Sequence, residues 1–255
     1  NFNRFFTDSK GNIIMLEIEW GEGYQTSNNI TVHTIEDGKD KVMLELEGNK
    51  SFFSSLIKKS GKNETLIGFI ETIIDNNENY TYKVHYLDGT TVDLKDYAIR
   101  SVNAVISMEE DYYLYDEKYA VVSNSNQKDA KYGIIDLANG ELVVGLNYNL
   151  LRQTQDGLYI AKMDGKIGLI DLKTKKVLPY EYDFIESHDD FYVVSKDNKL
   201  SILDKDKRSV TGFVFDYQKL DKDSGYIYDV CCSSFNTFTA SKIGNKYLLV
   251  INERS

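Results

Sequence analysis

Cysteine is scarce in this sequence, and long apolar runs are absent. The two cysteines, Cys231 and Cys232, are adjacent, so they cannot cross-link distant loops into a disulfide framework. On a strand they would point to opposite faces, which favours two ordinary strand residues over a metal pair or a strained disulfide. The richest apolar segment, 66–74, is far below the roughly 18 residues that a membrane-spanning helix needs. We therefore expect no membrane insertion of this segment.

Positive charge is also in short supply. The net charge is −10, and residues 1–115 hold 11 Lys and Arg against 19 Asp and Glu. A nucleic-acid-binding protein neutralises phosphates with a basic stripe, and no such stripe interrupts the acidity here. Adsorption to an anionic membrane is disfavoured for the same reason. These observations exclude nucleic acid as an expected partner.

Motifs that carry enzyme chemistry are missing as well. His33, His85 and His188 lie far apart, and the sequence has no HExxH, no Cys/His cluster, no glycine-rich phosphate loop and no GxSxG. Together these absences favour a protein that is not an enzyme and that uses no cofactor. Paired acids are abundant, so a glycosidase remains a third alternative, but it needs two carboxylates at a fixed separation that sequence cannot supply.

One calcium-like stretch, "DKDSGYIYD", departs from the known pattern. Asp221, Asp223 and Asp229 have suitable spacing, but the glycine comes at the fifth position instead of the sixth, and no glutamate follows at the twelfth. A solvated hairpin turn is the better interpretation, and no metal site is predicted.

A period of 33 to 35 residues organises the C-terminal half. Asp136, Asp171 and Asp204 each close a short apolar run, namely "KYGIID", "KIGLID" and "KLSILD". Two aromatic series keep the same period, Tyr148, Tyr182 and Phe215, and Tyr159, Tyr192 and Tyr226. Repeats of this length are supersecondary units too small to bury their own apolar faces, so they stack on their neighbours.

Each unit is predicted to be a hairpin followed by a third strand. In the first copy, Asn139-Gly140 suits a tight turn because both residues tolerate positive φ. We therefore predict an all-β protein with stacked three-stranded repeats of about 33 residues, propeller- or solenoid-like. The repeat domain is expected over 116–255, after a mostly β N-terminal domain, 1–115.

At these residues the sequence resembles the WG-repeat family of β-repeat proteins. The closest copy, "DGKIGLIDLKTKKVLPYEYDFI", has the family's residues at Gly168, Asp171, Pro179, Tyr182 and Asp183; the copy before it keeps Gly133, Asp136, Gly140 and Tyr148. The third copy has Ser201 where the family has glycine. None keeps the family's tryptophan, which is replaced by Tyr132, Ile167 and Leu200. The resemblance covers roughly 117–252 and implies β architecture and a recognition role, without any single chemistry.

The N-terminal half contains strand runs with turn signals. Segments 12–20, 29–48 and 80–94 alternate or cluster apolar residues, and Asp37-Gly38 marks a hairpin within the second. Segment 64–77 is ambiguous in period, but its β-branched residues favour a strand. Segment 51–62 is predicted to be one short helix.

Aromatic residues suggest two candidate binding segments that break the repeat period. The sequence has 19 Tyr and 12 Phe, and such rings stack on sugars and anchor protein interfaces. The first segment, "EWGEGYQTSNN", offers Trp20 and Tyr24; the second, "SMEEDYYLYDEK", offers Tyr112, Tyr113 and Tyr115. The alternative is that these tyrosines are structural, because tyrosine is a good strand former.

Two functions are therefore carried forward. The first is a non-catalytic interaction module that binds a protein partner through the repeat array. The second is binding of a glycan or cell-surface polysaccharide through exposed Trp20 and the tyrosines. Because the chain begins at Asn1, we expect that an export signal could have been removed, and an extracytoplasmic or cell-surface location, in a bacterial cell envelope for example, is slightly favoured.

Overall fold

A computed structural model of the chain describes residues 2–21, 28–49, 51–77, 79–102, 111–124, 129–216 and 238–251. Strands account for most of these residues, and no helix occurs among them. Consequently, no helix in this part of the chain could cross a membrane. The predicted all-β class is confirmed. The predicted features at Tyr24, Tyr226, the "DKDSGYIYD" stretch and the two cysteines lie outside the described residues.

The chain divides into two compact units, Asn1–Asn147 and Tyr148–Ser255. The boundary predicted between residues 115 and 116 marks the start of the repeat pattern. It stays a prediction, because a run of repeats and a compact unit need not begin at the same residue.

The first unit contains two antiparallel meanders within one nine-stranded sheet. The first meander consists of β1 (Phe2–Thr7), β2 (Ile13–Trp20), β3 (Asn28–Glu36) and β4 (Lys39–Glu47). The second consists of β5 (Ser51–Ser60), β6 (Asn63–Ile74), β7 (Tyr80–Tyr86) and β8 (Thr91–Lys95). Parallel pairing of Thr7 with Thr65 joins β1 to β6. The side chains of the two meanders share one buried cluster, which includes Phe6, Ile14, Leu16, Val32, Phe53, Ile57, Leu66 and Phe69.

The helix predicted over 51–62 is wrong, because this segment is strand β5. It pairs with β6 in antiparallel register from Ser51 to Ser60. Phe53 and Ile57 pack into one core cluster and Leu56 into another, so the strand is buried on both faces. A strand buried on both faces loses its alternating pattern, and its apolar run then cannot be distinguished from a helix by period alone. The strand predicted over 64–77 is confirmed as β6, which ends at Ile74.

The first unit ends in a smaller, four-stranded sheet. Its strands are β9 (Ala98–Ile99), β11 (Tyr119–Ser123), β12 (Tyr132–Asp136) and β13 (Glu141–Tyr148), in the order β13-β12-β11-β9. Between β9 and β11 the chain leaves this sheet, and β10 (Tyr112–Leu114) adds to β5 in parallel.

The second unit continues the same pattern. One sheet has the strands β14 (Leu150–Gln153), β15 (Tyr159–Met163), β16 (Lys166–Ile170) and β17 (Lys176–Tyr182). The next has β18 (Phe184–Ser187), β19 (Phe191–Lys196), β20 (Lys199–Asp204) and β21 (Phe215–Asp216), and a hairpin of β22 (Phe238–Ile243) and β23 (Lys246–Ile251) follows. The β18–β21 sheet is buried on both faces: Tyr192 and Val194 pack against the β14–β17 sheet, while Phe191 and Val193 lie in a cluster that contacts Tyr247.

Each of these sheets has four strands, whereas the sequence predicted three per repeat. The additional strands, β14 and β18, are four residues long and begin only two residues after Tyr148 and Tyr182. The break between the last strand of one sheet and the first strand of the next is a single residue, which leaves no turn signal. In the sequence these two strands therefore look like one continuous strand. The sequence period therefore starts at the third strand of one sheet and ends at the second strand of the next.

The internal period is visible in the strand register. Gly133 pairs with Val122, Gly168 with Ala161 and Ser201 with Val194, so the three positions occupy the same place in three hairpins. The repeated aspartates act at the turns that follow: the Asp171 carboxylate accepts hydrogen bonds from the backbone N–H groups of Lys173 and Lys175. This explains why an aspartate closes each apolar run.

Candidate interaction surface

The first meander is held in register by two well-formed turns. In the β3–β4 turn, Asp37 and Gly38 have φ values of 51° and 72°, which confirms the predicted hairpin at this dipeptide. In the β1–β2 turn, the Asp8 carboxylate accepts hydrogen bonds from the backbone N–H groups of Lys10 and Asn12, at 2.9 and 2.8 Å. A fixed register means that alternate side chains of each strand point to the same face. In β4 the alternation shifts by one residue at Met43, because Val32 pairs with Leu44 and His33 pairs with Val42.

One face of this meander covers a core, and the other carries a two-zone surface that we call the outer face. Strand pairing arranges the outer face as four rows across the sheet. The rows are Thr7–Ile13–Ile35–Asp40, Phe5–Met15–His33–Val42, Glu17–Thr31–Glu45 and Glu19–Asn29–Glu47. The first two rows form the apolar half, and the last two form the acidic half. Rows lie about 7 Å apart along the strands, and neighbouring strands lie about 5 Å apart. Each half of the outer face is therefore large enough to contact a short peptide segment.

The apolar half is unusually exposed. Phe5 is 68% exposed, Ile35 60%, Ile13 56% and Val42 46%. Most of these side chains, together with Met15 and the Gly38 turn, line a shallow concavity of about 240 Å³. Isolated exposed apolar residues are normal on protein surfaces, but a contiguous group is typical of an interaction site.

The acidic half lies along the same strands. Glu17 and Glu19 on β2 face Glu45 and Glu47 on β4, with Thr31 and Asn29 of β3 between them. No position in the four rows of the outer face is Lys or Arg. The basic residues of β4 fall elsewhere: Lys41 pairs with Thr34, whose side chain is on the core side.

His33 links the two halves. Its Nδ1 lies 3.0 Å from a carboxylate oxygen of Asp40 in the apolar half, and its Nε2 lies 3.7 Å from Glu17 in the acidic half. The His33 side chain is only 12% exposed, so it fills the space between its neighbours rather than projecting into solvent. It therefore lies between one acid of each half: Asp40, which lines the concavity, and Glu17 in the acidic half.

The first segment predicted to bind, around Trp20, does not belong to the outer face. Trp20 ends β2 and is 39% exposed. Strand alternation places it on the side of Ile18 and Leu16, opposite Glu17 and Glu19. Its pairing partner Asn28 is buried and exchanges hydrogen bonds with the backbone of Phe53, which ties β3 to β5.

The second predicted segment is integrated into the first unit. Tyr112 and Tyr113 lie on β10, the edge strand beside β5, and both are partly buried, as is Tyr115. The backbone N–H of Tyr113 donates a hydrogen bond to the Ser101 hydroxyl, and its carbonyl oxygen accepts one from the backbone N–H of Val102. The neighbouring Asp111 pairs with the Arg4 guanidinium. These contacts agree with the structural alternative for this segment.

The residues of the outer face were missed by sequence reasoning, although a signal existed. The two runs "MLEIEW" and "MLELEG" place glutamates at alternate positions, which marks one acidic face on β2 and β4. The apolar half gave no such signal, because Ile13, Ile14 and Met15 are consecutive and read as a strand buried on both sides. Which of the two faces is covered depends on packing partners that are distant in sequence.

A second polar cluster lies in the second unit, around Asp156. The Tyr192 hydroxyl donates a hydrogen bond to its carboxylate at 2.5 Å, Thr154 donates another at 2.6 Å, and Lys207 Nζ lies 3.3 Å away. Burial alone would raise the pKa of Asp156, but these hydrogen bonds and the lysines hold the pKa below its usual range. The ammonium group of Lys205 lies 4.2 Å from the centre of the Tyr192 ring. This cluster joins the β14–β15 turn to the β18–β21 sheet and is satisfied internally.

Metal-ligating groups do not converge in the described residues. No cluster of three or more His, Cys, Asp or Glu side chains is found in this part of the chain. His85 and Glu71 pair at 2.8 Å, with the Thr91 hydroxyl 3.1 Å from the other ring nitrogen, and this series joins strands β6, β7 and β8.

Comparison with known families identifies the repeats. Residues 132–166 and 167–199 match the WG containing repeat family. The C-terminal half therefore carries adjacent WG-type β repeats, as the resemblance indicated. No curated protein matches the sequence.

Similar solved structures are distant. Apo AztD from Citrobacter koseri is 12% identical with a TM-score of 0.33, over 80% of this chain and 59% of that chain. The Pyrococcus horikoshii acylaminoacyl peptidase is 10% identical with a TM-score of 0.38, over 98% of this chain and 43% of the other. A nidogen/laminin complex chain is 10% identical with a TM-score of 0.30, over 82% and 92%. This chain thus spans little more than half of the AztD chain, and likenesses of this strength carry no argument about function.

Proposed function

We propose that the protein is a non-catalytic interaction module that binds a protein partner, and that the outer face of the first meander is its docking surface. The observation that carries this proposal is the contiguous exposure of Phe5, Ile13, Ile35 and Val42 around the concavity. The WG-type repeats agree with an interaction module, because β-repeat arrays generally serve recognition. The outer face, however, lies on the first meander and not on the repeat array through which binding was expected from the sequence.

The energy available from this surface fits protein association. Fully burying a Phe or Ile side chain contributes about 1.5–3 kcal/mol, so covering the exposed fractions of Phe5, Ile13 and Ile35 would contribute about 1–2 kcal/mol each. Hot-spot residues of this kind dominate binding, while the surrounding contacts mainly exclude water. Three such anchors would together contribute about 3–6 kcal/mol, and the polar rim would add specificity.

The chemistry of the face favours protein over the other partners considered. A glycan is bound by flat aromatic rings, and Phe5 is the one aromatic residue in the four rows of the outer face. A lipid surface would accept the apolar half, but the acidic half would be repelled by anionic headgroups. Aliphatic side chains in a shallow concavity suit the apolar side chains of another protein.

Site-specific photo-cross-linking tests the proposal. A photoreactive residue at position 35 in the apolar half is compared with one at position 177, since Val177 is also exposed (37%) but lies in the second unit. In the native cell extract we expect a discrete protein adduct from position 35, lost when Phe5→Ser and Ile13→Ser are added. Thermal unfolding of each variant checks that it folds.

The same adduct from both positions, or an adduct at position 35 that survives Phe5→Ser and Ile13→Ser in a folded protein, would show that the apolar half is not the docking surface. The absence of any protein adduct at position 35 would contradict the proposed function itself.

A further inference from the structure

The charge on the outer face is as distinctive as its apolar patch. Glu17, Glu19, Glu45 and Glu47 occupy the two rows next to the concavity, and Asp40 lies at its far end. The four rows include no Lys or Arg, although the whole chain contains 30 of them. Such one-sided charge on a sheet face strongly favours partners of the opposite sign.

We infer that the partner of this surface is a cationic, amphipathic protein segment with apolar side chains at one end and Lys or Arg at the other. The inference rests on the proposed function and specifies the partner of the same site. The apolar end of the segment occupies the concavity around Phe5 and Ile35. Its basic end lies over Glu17 of β2 and Glu45 of β4, which are on either side of Thr31 of β3 in the same row.

Geometry limits the segment's length and direction. The four rows extend along the strands for about 20 Å, which corresponds to roughly six extended residues, and the sheet is about 15 Å wide at the Cα atoms. A segment that runs along the strands therefore meets apolar groups in the first two rows and the glutamates of the third row about 14 Å from its start. Several carboxylates on one face also accelerate association, since their field steers a positively charged partner during the encounter.

A second copy of this chain fits the surface poorly. Each copy has a net charge of −10, and its outer face would present the same glutamates to the partner. Like charges facing one another cost free energy and suppress association. A nucleic acid or an anionic lipid surface is disfavoured by the same repulsion.

Defined peptides test this inference. One six-residue probe has three leucine or phenylalanine residues followed by three lysines, and a second replaces the lysines by glutamates. Binding to the full chain is measured by fluorescence anisotropy at low and high salt. The variant Glu17→Gln/Glu45→Gln is compared with a control of equal charge, Glu141→Gln/Asp129→Asn, whose residues are exposed outside the outer face.

We expect the lysine probe to bind and the glutamate probe to bind at least tenfold more weakly. Glu17→Gln/Glu45→Gln should weaken the lysine probe about tenfold, because two exposed ion pairs are lost, and added salt should reduce that difference. The control variant should change binding less than about twofold.

The outcomes separate the inference from the proposed function. Equal binding of both probes, or equal losses in the two charge variants, overturns the cationic partner. If either of those results is obtained and Phe5→Ser/Ile13→Ser still weakens binding of the probes, the apolar half remains the docking surface but has no charge preference. If the lysine probe binds unchanged to a folded Phe5→Ser/Ile13→Ser variant, the apolar half itself is not used. No binding of the lysine probe, or self-association of the unmodified chain in place of it, also overturns the inference.

Discussion

Tyrosine hydroxyls connect neighbouring sheets within each unit. In the first unit, Tyr86 donates a hydrogen bond to the backbone carbonyl of Leu137 at 2.7 Å. Burial raises the pKa of Tyr86 to about 12, with smaller contributions from Asp136 and Asp88, so the hydroxyl keeps its proton. In the second unit, burial and the hydrogen bond to Asp156 likewise raise the pKa of Tyr192. The high tyrosine content is thus used largely inside the fold, because a buried ring with a polar tip can both pack and bridge.

The aromatic landmark of the repeats gives a direct stability prediction. Tyr182 is 7% exposed, lies in the cluster between the two sheets of the second unit and stacks with Phe213 at 6.3 Å. We expect Tyr182→Ala to lower the free energy of unfolding by about 3–5 kcal/mol, because a large cavity replaces the ring. Denaturant unfolding measures the loss.

Tyr80→Ala is the matched control, since the Tyr80 ring is 46% exposed. Its expected loss is under about 0.5 kcal/mol. A loss that small for Tyr182→Ala would mean that the landmark aromatics do not pack between sheets.

The glycine that recurs in the repeats is explained at the level of paired strands. A Cβ at Gly168 would lie 2.7 Å from the carbonyl oxygen of Leu178 and 2.9 Å from that of Pro179, and the β16–β17 register shifts at this point. The glycine therefore allows the fourth strand to approach the third closely.

Substitution at this glycine tests the explanation. Gly168→Ala should lower the free energy of unfolding by about 1–3 kcal/mol, since the methyl group must displace backbone. Gly145→Ala is the control: a Cβ there would meet only the terminal amide of the Asn147 side chain, which can move. Equal losses in the two variants, measured by thermal unfolding, would contradict close strand approach as the reason for the glycine.

Aspartates at the hairpin turns predict the behaviour of the fold in acid. Hydrogen bonds from Asn79 lower the pKa of Asp75, and those from Arg208 do the same for Asp204. A pKa that is lower in the folded state stabilises the fold above the ordinary aspartate value of 3.8, and this stabilisation is lost as the pH falls through the folded pKa. The melting temperature should therefore decrease between pH 5 and pH 2.5.

The variant Asp75→Asn/Asp204→Asn should lose less in this range, because asparagine keeps the turn acceptor without titrating. If the melting temperatures of the variant and the unmodified protein decrease by the same amount over this pH range, these carboxylates are not the cause of the loss of stability in acid.

The sequence predicted the strands with the strongest patterns and failed where tertiary context decides. The repeat marked by Asp171 and Asp204 and the Asp37-Gly38 turn depend on local chemistry. The structure contains both the repeated hairpins and the turn. Segment 51–60 was mistaken for helix because both of its faces are buried by distant strands. The outer face was missed because no local sequence signal shows which side of strands β1–β4 remains uncovered by the rest of the protein.

At the scale of the whole molecule, the net negative charge is greatest in the N-terminal part of the chain, which also carries the proposed docking surface. Of the 40 acidic residues, 19 lie in residues 1–115, where they outnumber the basic residues by eight. The outer face contains five of those acids beside the exposed apolar half. The repeats of the C-terminal half bury their sheets against one another, as Tyr192 and Phe191 do on opposite faces of one sheet. We therefore propose that the partner docks on the first meander.

The affinity of the protein for its cross-linked and purified partner tests this claim most directly. We compare the unmodified protein with Ile13→Ser/Ile35→Ser in the outer face and with Val143→Ser/Val177→Ser, which removes valines that are 45% and 37% exposed elsewhere. The account predicts a dissociation constant at least about tenfold higher for the outer-face variant, since about 1.4 kcal/mol or more is lost, and little change for the control. Equal dissociation constants for the two folded variants would contradict it.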